Sequence, residues 1–135
     1  MIIAHTGALV ALIDADDRHH EALRALWEAE PGAWVVPWAV LPEVDHVVRR
    51  SLGREPAQLF LDDLAAGHFA VEQGEPADLS RAAVLVAQHA ELGLSLVDGV
   101  VLAVAERLRA AAIAAVDLKR FGALELSCKL YPRDL

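Results

Sequence analysis

Short apolar runs alternate regularly with longer amphipathic runs along the chain, and this alternation limits the folds that the chain can adopt. Strand candidates lie at residues 2–4, 34–36, 69–71 and 113–116, with a further strand candidate near Leu130. Helix candidates lie at residues 8–13, 18–30, 40–52, 56–66, 76–90 and 96–109. Alternation of this kind predicts an α/β fold, in which a mostly parallel central sheet is covered by helices.

The length of the chain bounds its organisation. Its 135 residues suit one domain, residues 1–135, which can bury a substantial core without disulfides. In parallel sheets, ligands bind beyond the carboxyl ends of the strands. The residues that follow Ala4, Val36 and Val116 are therefore natural candidates for a functional site.

The net charge of −8 limits the kinds of nucleic-acid protein that the chain can represent. A diffuse nucleic-acid binder gains affinity by neutralising phosphates with Lys and Arg, and this chain has no basic surplus. A carboxylate site that recruits Mg²⁺ or Mn²⁺ avoids the difficulty, because the cation then faces the phosphate. The composition thus argues against a passive DNA-binding module and permits a metal-dependent nuclease.

The single cysteine, Cys128, excludes an internal disulfide, so a reducing, cytoplasmic compartment fits best. The N-terminus has no basic segment before its apolar run, and we expect no secretory signal. The longest apolar region, residues 94–116, is interrupted by charged side chains. It predicts a helix followed by a strand, and no membrane span.

Three acidic residues stand where a site is expected, and each also has an ordinary structural interpretation. Asp117 directly follows the strand at residues 113–116, where, taken alone, its ordinary interpretation is a turn residue or the cap of the next helix. Asp98 completes an S-x-x-D capping box with Ser95, yet its neighbours are strongly apolar. Its charge needs a partner, which a cap or a metal can supply. Glu43 lies in the first turn of a helix, where carboxylates are common.

Other constellations of reactive residues are weaker. The run at residues 14–20 has no zinc-type spacing and is better interpreted as turn and capping residues. Cys128 lies in no nucleophile motif, and the glycines form neither a P-loop nor a dinucleotide-binding pattern. A small hydrolase or phosphatase with an Asp nucleophile is an alternative, but no suitably flanked D-x-D pair follows a strand.

Four segments, taken in order, resemble the sequence pattern of the PIN-domain family. The opening MIIAHTGALVALID is similar to the first strand and helix of the family. VVPWAVLPEVDHVVRRSLG is similar to the second family segment, in which a Glu lies on a helix after the second strand. LGLSLVDGVVLAVAERL resembles the third segment, with a metal-binding Asp at a helix start. IAAVDLKRFGAL resembles the fourth, with an Asp after a strand. The resemblance covers nearly the whole chain and implies an α/β/α sandwich.

In its short length the chain resembles the VapC-type branch of this family, whose members are Mg²⁺- or Mn²⁺-dependent endoribonucleases. These members are the toxins of toxin–antitoxin pairs. They usually form homodimers, cut RNA and are held inactive by a cognate antitoxin. Carried over by position, the resemblance implies that Glu43, Asp98 and Asp117 are the catalytic and metal-binding residues. The metal would activate water and offset charge on the scissile phosphate. The substrate would be single-stranded or loop RNA, whose backbone can enter a cleft.

We expect Glu43, Asp98, Asp117 and His5 to converge in one cleft at the carboxyl edge of the sheet. Repulsion among clustered carboxylates should raise the pKa of at least one of them when no metal is bound. The candidates to hold the flanking phosphates are Arg49, Arg50, Lys119 and Arg120. The ordinary interpretation of all four is that they are solvated residues at helix ends.

The chain departs from the family pattern at two neighbouring positions. His5 aligns with the first family carboxylate, and Gly7 aligns with a position that is usually Ser. Mg²⁺ prefers oxygen ligands, whereas imidazole suits Mn²⁺ or Zn²⁺ better. The substitution leaves three outcomes open: a weakened nuclease, a metal site that includes His5 with an altered preference, or a PIN fold that binds an antitoxin or RNA without cutting it.

Overall fold

Five short strands form one sheet in which every neighbouring pair is parallel, in the computed structural model of residues 1–135. The strands are β1 (Ile2–Ala4), β2 (Trp34–Pro37), β3 (Ala70–Glu72), β4 (Ala112–Ala114) and β5 (Lys129–Tyr131). Their order across the sheet is β3-β2-β1-β4-β5. The predicted α/β class is confirmed, and each strand candidate lies within two residues of its predicted bounds.

Six helices connect and cover the strands, and they also begin and end within two residues of the predicted bounds. They are α1 (Thr6–Ile13), α2 (His20–Ala29), α3 (Leu41–Leu52), α4 (Arg54–Ala65), α5 (Pro76–Gln88) and α6 (Leu96–Arg107). Pro42 lies in the first turn of α3, where a missing backbone N–H leaves no hydrogen bond unmade. None of the six helices combines the length and the apolar character that a membrane span requires.

The order of the strands places the helices in two layers. The chain steps from β1 to β2 to β3 in one direction and then crosses back to β4 on the other side of β1. Because such crossovers are right-handed, this reversal puts α1 to α4 on one face and α5 with α6 on the other. The α/β/α sandwich is thereby confirmed. The crevice between the carboxyl ends of β1 and β4 is the point where ligands bind in sheets of this kind.

The central strands and α6 form the most deeply buried part of the molecule. Every residue of β1 and β4 is buried, as expected for parallel strands covered on both faces. On α6, residues 98–105 are all buried, so this helix lies inside the sandwich and not on its surface. A Cβ added at Gly99 would lie 3.1 Å from the Cβ and the carbonyl oxygen of Ala82 on α5. The glycine therefore lets α5 and α6 approach closely.

Apolar side chains also remain on the surface. Trp34 is fully buried and packs edge-to-face with Trp27, at 5.7 Å between ring centroids. Trp38, in contrast, is 52% exposed. Leu79 and Leu96, each about 60% exposed, are further large apolar side chains that face solvent.

Candidate active site

The carboxyl ends of β1 and β4 bring two polar residues to the same edge of the sheet. His5 directly follows β1, and its backbone N–H donates a hydrogen bond to the Ala114 carbonyl at the end of β4, at 2.9 Å. Asp117 lies three residues beyond β4. Both side chains therefore stand where the order of the strands reverses, at the place that the sequence predicts for a site.

Asp98 reaches this edge from the N-terminus of α6. Its side chain is 1% exposed, and its Oδ2 accepts a hydrogen bond from the Ser95 backbone N–H at 2.8 Å, while the Ser95 hydroxyl accepts one from the Asp98 N–H. The predicted capping box is thus present. The carboxylate also accepts a hydrogen bond at Oδ1 from His5 Nε2, at 2.8 Å. The two interpretations of Asp98 are compatible, because the carboxylate caps the helix and still faces the site.

Arg120 holds the two aspartates together. Its Nη1 donates to Asp98 Oδ2 at 2.6 Å and its Nε donates to Asp117 Oδ2 at 2.6 Å. The Arg120 backbone N–H donates to Asp117 Oδ1 at 3.2 Å, and Nη1 also lies 3.4 Å from the Gly93 carbonyl oxygen. The side chain is only 32% exposed. Arg120 is therefore an internal counterion, and neither expectation for it, a phosphate contact or a solvated helix end, describes its position.

The electrostatics of both aspartates follow from this arrangement. Burial raises the pKa of Asp98, but hydrogen bonds from His5 and the Ser95 amide, with the charge of Arg120, bring that pKa below its ordinary value. Burial likewise raises the pKa of Asp117, and the hydrogen bonds from Arg120 lower it by more. The expectation that mutual repulsion raises a carboxylate pKa is wrong for both residues, because a cation lies between them.

Glu43 is the most loosely associated of the predicted site residues. It lies in the first turn of α3, is exposed and forms no ion pair or hydrogen bond through its side chain. Its charge nevertheless acts on Arg120 and contributes to the raised pKa of that guanidinium, after the hydrogen bond that Arg120 donates to Asp117 and the charges of the two aspartates. The structure thus brings His5, Asp98 and Asp117 into one connected network and leaves Glu43 at its margin.

The surroundings of His5 leave one ring nitrogen without a partner. The residue is 5% exposed, and its ring lies 4.9 Å from that of Phe121, between centroids. Nε2 contacts Asp98, whereas Nδ1 is buried and forms no hydrogen bond. The hydroxyl of the adjacent Thr6 is also buried and also forms no hydrogen bond. His5 therefore acts on Asp98 through a single hydrogen bond and is held in orientation by an aromatic contact.

Gly7 has a steric reason to be glycine in this chain. A Cβ added at this position would lie 2.6 Å from Cγ2 of Val116, a separation that real Cβ atoms essentially never show. Val116 precedes Asp117, so the contact joins the start of α1 to the segment that carries Asp117. Both departures from the family pattern therefore adjoin the other site residues: His5 bonds Asp98, and Gly7 packs against the residue before Asp117.

The carboxylates suit a hard divalent cation in their chemistry, because Mg²⁺ and Mn²⁺ prefer oxygen ligands. A cation already lies between Asp98 and Asp117, in the form of the Arg120 guanidinium. In this arrangement no group of three or more His, Cys, Asp or Glu side chains is placed to hold a metal ion. The metal-binding roles of Glu43, Asp98, Asp117 and His5 stay predictions.

Residues outside this edge have ordinary roles. In the run at residues 14–20, Asp17 accepts a hydrogen bond from the His19 backbone N–H at 2.8 Å, and His20 bonds the Ala11 carbonyl at 2.7 Å, so these are turn residues. The expected cap by Asp16 or Asp17 is absent, because His19 is the N-cap of α2 and no side chain caps this helix. Arg49 pairs with Asp45 one helical turn away. Arg50 and Lys119 form no ion pair, and they remain candidates for phosphate contacts.

Sequence reasoning missed the role of Arg120. The available signal was its spacing, because a residue three positions after Asp117 in a tight turn can return to that carboxylate. That Arg120 also reaches Asp98, 22 positions earlier, depends on the packing of α6 against the sheet. No local pattern in the sequence contains that information.

Comparison with known proteins agrees with this picture. A family model of the PIN domain matches residues 2–124 of the chain. Ribonuclease VapC26 of Mycobacterium tuberculosis is 28% identical over 123 residues, which make up 91% of this chain and 91% of that protein.

Solved structures extend the similarity to the whole architecture. VapC20 of Mycobacterium tuberculosis, described as a sarcin–ricin loop cleaving toxin, has a TM-score of 0.81 at 23% identity and covers 93% of this chain and 98% of its own. A toxin–antitoxin complex from Klebsiella pneumoniae has a TM-score of 0.68 at 19% identity, over 93% of each chain. At these identities the likeness is one of fold. The family model spans nearly all of the sheet and helices described above, and the chain belongs to the PIN-domain family.

Proposed function

We propose that the chain is an endoribonuclease of the VapC type, the toxin of a toxin–antitoxin pair. The observation that carries the proposal is the convergence of buried Asp98 and half-buried Asp117 with His5 at the switch point of a PIN-family sheet. The relative VapC26 is named a ribonuclease, and the structurally similar VapC20 is described as a sarcin–ricin loop cleaving toxin. These names support the reaction class and leave the RNA target of this chain open.

In this proposal the reaction depends on Mg²⁺ or Mn²⁺. Asp98 and Asp117 would hold the ion, with Glu43 or His5 as the further ligand, and the bound cation supplies positive charge to the scissile phosphate and activates water. Arg50 and Lys119, which have no carboxylate partner, are the residues left to bind flanking phosphates. His5 orients the Asp98 carboxylate through the hydrogen bond to Oδ1.

The partners in this proposal are RNA, a cognate antitoxin and a second copy of the chain. One structurally similar protein was solved as a toxin–antitoxin complex, which supports the antitoxin. Trp38 and Leu79 are both exposed and line one surface cavity, and contiguous apolar surface of this kind is commonly covered by protein partners.

The test is an RNA cleavage assay with purified protein, a stem–loop RNA and either Mg²⁺ or Mn²⁺. We expect cleavage by the wild type that disappears in chelator and falls by roughly a hundredfold or more in Asp98→Asn, since a ligand and a charge are lost together. The matched control is Asp16→Asn, which makes the same change on an exposed turn. Wild-type protein that leaves the RNA intact under all of these conditions would contradict the proposal.

A second candidate function is a PIN-fold module that binds an antitoxin or RNA without cutting it. The specific observation in its favour is that His5 and Arg120 already satisfy the charge of Asp98 and Asp117. This alternative predicts RNA or antitoxin binding that is insensitive to chelator, with no cleavage. Binding measured by fluorescence anisotropy beside the cleavage assay separates the two candidates.

A further inference from the structure

We propose that Arg120 is the resident cation of the candidate active site, and that its guanidinium and a divalent metal ion compete for the same place between Asp98 and Asp117. The inference rests on the proposed function only in taking these two carboxylates as the metal-binding pair. It adds that the chain carries its own competitor for the metal, so that metal loading and the position of Arg120 are coupled.

The contacts of Arg120 involve the oxygens that a metal would need. The guanidinium bonds Oδ2 of Asp98 and Oδ2 of Asp117, each at 2.6 Å. Bonds between two charged groups at such distances are among the stronger hydrogen bonds in proteins. The other Asp98 oxygen, Oδ1, accepts from His5. A metal that bridges the two aspartates must therefore take the position of the guanidinium.

Arg120 is placed to hold this position at low entropic cost and yet to leave it. Its backbone N–H donates to Asp117 Oδ1, so the residue is fixed beside Asp117 before the side chain folds inward. The side chain is 32% exposed and can swing into solvent without opening the core. Asp98, at 1% exposure, cannot follow it, and a buried carboxylate left without a cation is strongly unfavourable. Departure of Arg120 is therefore favoured when another cation takes its place.

His5 shifts the balance between the two cations toward the guanidinium. The family pattern has a carboxylate at this position, and a further negative charge attracts a divalent ion about twice as strongly as a monovalent one. A histidine removes that advantage. It also fixes Asp98 Oδ1 as a hydrogen-bond acceptor, which leaves a single oxygen of Asp98 for the competing cations.

Titration of the metal-free protein with Mn²⁺, followed by calorimetry, tests the competition without RNA. We expect Arg120→Gln to bind Mn²⁺ roughly tenfold more tightly than the wild type or better, a change equivalent to one ordinary charge-assisted contact. Lys119→Gln is the matched control, because it removes the adjacent positive charge, which has no ion pair. Its affinity should stay within roughly twofold of the wild type, as for exposed charges in general.

Two further measurements keep the test decisive if Arg120→Gln folds poorly. In the wild type, Mg²⁺ titration followed by the NMR signal of the Arg120 Nε–H should move that signal at the concentration at which the metal binds. In Arg120→Ala, the melting temperature should fall in chelator and recover with either Mn²⁺ or millimolar guanidinium, whereas the wild type should be unaffected by guanidinium and should need more Mn²⁺ for the same rise in melting temperature. Recovery by guanidinium would identify the place between the aspartates as a general cation site.

Three results would overturn the inference: equal Mn²⁺ affinity in the wild type and Arg120→Gln, no Mn²⁺ binding by either protein, or an equal gain in Lys119→Gln. These outcomes are independent of cleavage. A chain that shows the expected pattern of Mn²⁺ affinities and cuts no RNA supports the competition and contradicts the proposed function. A chain that cuts RNA and binds Mn²⁺ equally with and without Arg120 does the reverse.

Discussion

His5 changes the site in two physical respects relative to the carboxylate that the family pattern has there. It donates a hydrogen bond to Asp98 instead of repelling it, and it brings no negative charge to the cleft. Both effects stabilise the network in the absence of a metal. The residue therefore links the stability of this network to its affinity for cations.

Replacing His5 with Asp should reverse both effects. We expect a lower melting temperature in chelator, because two carboxylates then face each other in a buried site, and recovery of that loss on addition of Mg²⁺. Mg²⁺-dependent RNA cleavage should rise by roughly ten- to a hundredfold, the range typical of changes around a metal ligand. Thermal melts with and without Mg²⁺, beside cleavage rates, measure the two effects.

The matched control is His5→Gln, which is neutral and whose side-chain amide nitrogen can reach the position of Nε2, the atom that donates to Asp98. It should respond to Mg²⁺ as the wild type does. If His5→Asp remains folded and shows neither Mg²⁺-dependent stabilisation nor increased cleavage, the position does not influence the cation site.

The lowered pKa values of Asp98 and Asp117 predict a specific loss of stability in acid. In the folded state both carboxyls bind protons less readily than in the unfolded chain, so their contribution is complete above the unfolded pKa of about 4 and is lost as the pH falls below it. Asp117→Asn should therefore lose less free energy of unfolding than the wild type between about pH 5.5 and about pH 3.

Urea unfolding at a series of pH values measures this difference. Asp16→Asn serves as the comparison, because the Asp16 side chain is exposed and forms no hydrogen bond or ion pair. An acid loss in Asp117→Asn as steep as in the wild type would show that the ion pair with Arg120 contributes nothing to the pH dependence.

At the scale of elements, the contact between α5 and α6 holds the buried helix that carries Asp98. It depends on Gly99, one residue after Asp98, where an added Cβ would lie 3.0 Å from Val86 Cγ2 and 3.1 Å from the carbonyl oxygen of Ala82. The backbone of α5 cannot yield as a flexible side chain end can. Small residues at this crossing therefore determine how deeply Asp98 sits in the sandwich.

Gly99→Ala should force the two helices apart. We expect a net loss of about 1 kcal/mol in the free energy of unfolding, because overpacking costs about 1–3 kcal/mol and the better helix propensity of Ala returns part of it. Gly32→Ala is the control, since no atom lies within 4 Å of its added Cβ, and it should be nearly neutral. The urea concentration at the midpoint of unfolding measures the loss of stability. An unchanged midpoint for Gly99→Ala would mean that α5 and α6 accommodate the added methyl group without cost.

The elements could be predicted from the sequence because they depend on local patterns. Apolar strands such as Ile2–Ala4 and the capping box of Ser95 and Asp98 are visible within a few residues of chain. The resemblance to the PIN-domain family predicted that His5, Asp98 and Asp117 lie close together. The position of Arg120 could not be predicted, because it depends on a side-chain direction across a gap of 22 residues. The same limit explains the error over the pKa of the two aspartates.

At the scale of the whole molecule, the net charge of −8 makes RNA binding depend on a few local contacts. Arg120 is committed to Asp98 and Asp117, and Arg49 is paired with Asp45, so Arg50 and Lys119 are the predicted phosphate contacts. With about two such contacts, the logarithm of RNA affinity should fall against the logarithm of salt concentration with a slope of roughly −1.4.

Fluorescence anisotropy with single-stranded RNA at several salt concentrations measures the slope. Lys119→Gln should make it shallower, whereas Arg24→Gln, in which the changed residue is paired with Glu28 on α2, should leave it unchanged. A slope several times steeper would mean that a basic surface elsewhere on the molecule binds the RNA.

The contact between Gly7 and Val116 constrains how this sequence can change over time. With 2.6 Å between an added Cβ and Val116 Cγ2, the serine usual in the family can enter at position 7 only if the Val116 side chain shifts. The side chains at positions 7 and 116 are therefore coupled. Anyone who redesigns the start of α1 has to choose both residues together.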